Sequence, residues 1–68
     1  MATDEEIREA QKWIEDHGKL VRLPFAEGRY RLTLTARKTD VSQSAELVPP
    51  LAPGEHDDTL VWLWKQLR

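Results

Sequence analysis

Sixty-eight residues without a single cysteine leave room for one domain, residues 1–68, and exclude both disulfides and the common thiolate zinc sites. A chain this short buries only about 60% of the surface its unfolded form exposes, so a homodimer is expected to supplement a limited core. Charged residues make up 32% and apolar residues 40%, which suits a folded domain rather than a disordered tail.

The net charge of −2 conceals a strong internal pattern. Residues 1–18 carry six acids and two bases, residues 19–38 six bases and one acid, and residues 39–68 five acids and two bases. A basic middle between acidic flanks bears on partners more than the total does. The N-terminus, Thr3-Asp4-Glu5-Glu6, is acidic where a targeting peptide would be basic. The longest apolar run, Leu60 to Trp64, is five residues, against about 20 needed to span a bilayer. A soluble cytoplasmic protein with no membrane association is the expectation.

The first element is a helix over 4–17. Thr3 and Glu6 form the T-x-x-E capping box, and Asp4, Glu5 and Glu6 crowd the positive end of the helix dipole. Ile7, Ala10, Trp13, Ile14 and His17 share one helical face. Gly18 stands where a left-handed C′ glycine would end the helix. Lys19 to Leu23 then read as a short strand stopped by Pro24, and Phe25-Ala26-Glu27-Gly28 as a turn.

From Arg29 to Arg37 the chain alternates without interruption. Tyr30, Leu32, Leu34 and Ala36 point one way, while Arg29, Arg31, Thr33, Thr35 and Arg37 point the other, the pattern of a half-buried antiparallel strand. Val41, Gln43, Ala45 and Leu47 share a parity, so Lys38-Thr39-Asp40 is either the turn into a third strand or the start of an irregular loop. Residues 49–54, Pro49-Pro50-Leu51-Ala52-Pro53-Gly54, form a stiff proline-rich linker. Its P-x-x-P match is too short to specify a proline-groove ligand.

The last segment takes Asp57 or Asp58 as N-cap and carries a helical stripe of Leu60, Leu63, Trp64 and Leu67. Leu60 to Trp64 is also rich in strand formers, but caps, charges and spacing together favour a helix. The expected architecture is therefore α+β. It has an N-terminal helix, an antiparallel hairpin with or without a third strand, and a C-terminal helix, both helices covering one sheet face.

Catalytic templates are missing. There is no G-x-S-x-G elbow, Walker loop, H-E-x-x-H or G-x-G-x-x-G, and the chain is read as non-enzymatic, with no cofactor and no metal. The Glu55-His56-Asp57-Asp58 cluster reads as helix capping rather than a metal site, because contiguous residues seldom converge on one ion. His17 reads as a helix-terminal residue and not as a ligand. Trp13 and Trp64 are assigned to the core.

Two surfaces remain for a partner. Arg29, Arg31 and Arg37 form a cationic stripe, which Arg22 is expected to join across the ladder and Lys38 to extend. A solvent-facing strand also carries charge simply to discourage edge pairing. Trp62 projects roughly 160° from Trp64 around a helix, so Trp62 and the neighbouring Val61 form an exposed apolar patch suited to an interface. The leading functional reading is a protein-interaction or regulatory module, a subunit, adaptor or inhibitor, that binds another protein or a second copy of itself. The alternative is a nucleic-acid-binding module using the arginine face of the hairpin, where residues two apart lie about 6–7 Å from each other.

Overall fold

The computed structural model describes residues 2–68. Helix α1 (Asp4–His17) leads into strands β1 (Gly18–Pro24), β2 (Tyr30–Ala36) and β3 (Ser42–Leu47), and helix α2 (Glu55–Leu67) closes the chain. The strands form one antiparallel sheet in the order β1-β2-β3. The α+β architecture read from the sequence is therefore present, with the third strand formed and the last segment helical.

Helix α1 begins where the capping box places it. The Thr3 hydroxyl accepts the Glu6 amide at 3.1 Å, and the Glu6 carboxylate accepts the Thr3 amide at 3.3 Å. Each satisfies a donor that the first helical turn leaves orphaned. The helix ends differently from expectation. Gly18 is not left-handed; its φ of −143° and ψ of 178° are extended, and it is already the first residue of β1. Glycine is needed there for space. A Cβ at Gly18 would lie 2.9 Å from Cζ3 of Trp13 and 3.1 Å from the Thr35 carbonyl oxygen.

Two short turns connect the strands. Gly28 takes a positive φ of 71° after the Arg29 amide bonds back to the Ala26 carbonyl at 2.8 Å, as a tight turn demands. Asp40, at φ 53°, makes the corresponding left-handed step between β2 and β3, and its amide donates to the Ala36 carbonyl at 2.9 Å. Aspartate tolerates this region better than bulkier residues do, which is why residues 38–41 reverse the chain without a glycine.

Both helices lie on the face of the sheet that carries Leu32, Leu34, Ala36 and Leu47. All four are buried, together with Ala10 of α1 and Leu60, Val61, Leu63 and Trp64 of α2. Tyr30 is half-buried at the edge of this core. The shortest extent of the molecule is 16 Å, enough for one helical layer on one sheet and no third layer. Val61, expected on an exposed patch, is instead 3% exposed. The reason is a wider apolar arc on α2 than the Leu60/Leu63/Trp64/Leu67 stripe implied, because α2 packs against α1 as well as the sheet.

Helix α2 also starts earlier than its aspartates suggested. Gly54 is the N-cap, at φ 81° and with no side-chain cap. Asp57 and Asp58 consequently fall inside the first turn, where they still complement the helix dipole. Two of the acids bond elsewhere. Glu55 accepts the Ala52 amide at 2.9 Å, tying the linker to the helix start, and Asp58 accepts the Ala2 amide at 2.6 Å.

Candidate functional site

No described residue covers the face of the sheet opposite the helices. Its composition follows from pleat and register. On β2 it carries Arg31, Thr33 and Thr35, the residues alternating with the buried leucines. Residues directly opposite in an antiparallel ladder share a face. Lys19, Val21 and Leu23 of β1 lie opposite Thr35, Thr33 and Arg31, while Ser42, Ser44 and Glu46 of β3 lie opposite the same three.

Side-chain contacts divide this surface into strips. Along β1 and the following turn runs an apolar strip of Val21, Leu23 and Phe25, with Leu23 51% and Phe25 48% exposed. Arg31 stacks over the Phe25 ring at 3.9 Å from its centroid, a cation–π arrangement that holds the guanidinium on the face. Arg29 and Arg31 both reach the Glu46 carboxylate, at 3.7 and 3.5 Å. The far strip is hydroxylated, and Thr33 and Ser44 share a hydrogen bond at 3.0 Å across β2 and β3. Lys19 closes the face at one end. Arg37 and Lys38 are exposed in the β2–β3 turn, where the Arg37 amide still bonds to the His17 carbonyl at 2.9 Å.

Arg22 does not belong to this face. It lies opposite Leu32 in the ladder and so projects to the helical side. Its guanidinium meets His56 Nε2 at 2.8 Å and lies 5.8 Å from the Tyr30 ring centroid. Since guanidinium has no lone pair to offer, a hydrogen bond here runs from Arg22 to the His56 ring nitrogen. Parity within the Lys19–Pro24 segment separates Arg22 from Arg31 once the register is known; charge alone suggested the opposite.

Leu23, Phe25 and Glu46 were missed as members of the surface. Leu23 and Phe25 stand two and four residues after Val21 with the same parity, a signal hidden by reading Phe25 only as a turn residue. Glu46 alternates with Ala45 and Leu47, so a third strand places it beside the arginines. The intramolecular partner of Arg29 and Arg31 is thus a residue of the neighbouring strand.

The second expected surface is reduced to Trp62. It is 49% exposed in the helical layer, beside a shallow cleft shared with Ala2, Glu6, Asp58 and Lys65. Lys65 pairs with Glu6 across that cleft. Bonding to Lys65, and next to the Thr3 amide, holds the Glu6 carboxyl below its ordinary range. Among the described residues no three His, Asp or Glu side chains come together as a metal site, and no helix is long and apolar enough to cross a membrane. Comparison with known proteins finds no matching family model and no significantly similar curated protein or solved structure.

Proposed function

We propose that the chain is a non-catalytic protein-interaction module whose uncovered sheet face docks an acidic, partly apolar surface of another protein. The observation behind this reading is the pairing of an exposed apolar strip, Leu23 and Phe25, with a cationic ridge, Arg29 and Arg31. An aromatic residue stacked under an arginine combines the two side-chain types that most often anchor interfaces. Lys19, Arg37 and Lys38 extend the positive field and would steer an acidic partner toward the face. Glu46 fixes the two arginines in place and lowers the charge the face presents, which favours a protein surface over a phosphate backbone.

Selection from a random displayed peptide library tests the reading. Peptides combining Asp or Glu with large apolar residues should be enriched. Their binding should be lost in Arg31→Glu with Leu23→Ser and retained in Trp62→Ala and Arg22→Ala. Failure to enrich such a class, or peptides indifferent to the face substitutions, would contradict it. Binding to duplex or single-stranded nucleic acid that falls steeply with salt, and that vanishes in Arg29→Glu with Arg31→Glu, would favour the nucleic-acid reading instead.

A further inference from the structure

The outer edge of β3 carries a pattern that the docking face does not use. The Ala36 amide donates to the Val41 carbonyl at 2.9 Å, so residues 41, 43, 45 and 47 are the ones whose backbone groups point toward β2. The N–H and C=O groups of Ser42, Ser44 and Glu46 therefore point outward. No other segment among the described residues bonds to them. On the opposite edge, the Arg37-to-His17 bond fixes Lys19, Val21 and Leu23 as the residues turned toward β2. Among the described residues that leaves only Leu20 and Arg22 as open amide donors on β1, because the Gly18 amide bonds to Ile14 and Pro24 has none.

Exposed edges are normally blunted by proline, lysine or inward charge. The β1 edge has Lys19, Arg22 and Pro24. The β3 edge has none of these, and its single charge, Glu46, is already engaged by Arg29 and Arg31. It is bounded by two valines that the monomer leaves uncovered, Val41 at 50% and Val48 at 56% exposed.

We propose that β3 pairs antiparallel with β3 of a second copy, about a two-fold axis through Ser44, to give a continuous six-stranded sheet. A two-fold axis perpendicular to the sheet keeps each face on its own side, so partners must share parity. Centring on Ser44 sets Ser42 against the second copy's Glu46 and Ser44 against Ser44, all with outward backbone groups. About six inter-chain hydrogen bonds result. On the helical face the same register sets the uncovered Val41 against the second copy's Leu47 and Gln43 against Ala45. No two like charges meet. The segment Val41 to Leu47 is thus near-palindromic in polarity, apolar at both ends and uncharged at its centre, which singles out the chain itself as the occupant rather than an unrelated strand. The pairing concerns the edge of the sheet and stands independently of the docking face.

The absence of cysteine makes the test clean. Residues in such a hydrogen-bonded pair have Cα atoms about 5.5 Å apart, inside the disulfide range. Ser44→Cys should oxidise to a covalent dimer, reversed by reductant, while the unmodified protein shows a concentration-dependent rise toward twice its monomer mass in sedimentation. Thr33→Cys, on the central strand, would be about three strand spacings, ~14 Å, from its counterpart and should stay unlinked. Ser44→Lys should return the protein to a monomer with its helical and strand content unchanged. A monomer at every concentration, with Ser44→Cys remaining reduced under oxidant, would overturn the proposal. Thr33→Cys cross-linking as readily as Ser44→Cys would also overturn it, pointing to face-to-face contact instead. Neither result bears on whether the open face binds peptide.

Discussion

Gly18 shows how one position can be constrained by space rather than by backbone angle. Its extended φ is open to any residue, yet an added methyl would press on the Trp13 ring and on the Thr35 carbonyl. The carbonyl belongs to the central strand and cannot swing away. Gly18→Ala should therefore cost about 1–3 kcal/mol in denaturant titration. The tryptophans separate just as sharply. Trp64 is buried with its indole N–H unpaired among the described residues, and Arg68 stacks on its ring at 4.4 Å from the centroid. Trp64→Ala should cost about 3–5 kcal/mol, and Trp62→Ala within roughly 0.5–1 kcal/mol. Spacing on the helix already assigned these two different fates. It could not place Val61, whose burial comes from α1 packing alongside α2, a tertiary fact outside any one segment's period.

Among the elements, α1 and β2 were the most legible, because cap, period and charge agree within each. The T-x-x-E box of Thr3 and Glu6 forms as written. Thr3→Ala should cost about 1 kcal/mol, read as a lower midpoint with unchanged slope. Glu6 adds a pH dependence of known sign. Lys65 and the Thr3 amide favour its charged form, so its folded pKa lies below the unfolded one. The stabilisation is present above the unfolded carboxyl range and is lost as pH falls through the folded value. Glu6→Gln should flatten the part of the acid limb that begins as pH falls into the ordinary carboxyl range, measured by thermal melting. The boundaries that shifted did so for local reasons. Gly54 and the Glu55–Ala52 bond start α2 before its aspartates, and Asp40 supplies the left-handed step that lets β3 return. Strand β3 was ambiguous in the sequence because Ser42, Ser44 and Glu46 face solvent and Gln43 interrupts its apolar side.

At the scale of the whole molecule, two helices on one side of three strands leave the other side bare. Register turns a list of cationic residues into a surface: it removes Arg22, adds Leu23, Phe25 and Glu46, and keeps Arg29 and Arg31 together at one end of the sheet. Charge segregation along the chain pointed to the hairpin, but only pairing shows that its arginines are held by a strand neighbour and an aromatic ring. The two sides of the molecule also carry their own reporters. In amide–nitrogen correlation spectra, the backbone amides of Val21, Leu23, Arg31 and Thr33 would report on the bare face and the indole N–H of Trp62 on the helical layer. Titrating a library-selected acidic peptide into the protein shows which side of the molecule it occupies. Docking on the sheet should give shifts confined to the sheet-face amides with the Trp62 indole unmoved. Shifts at Trp62 with the sheet face silent would contradict it.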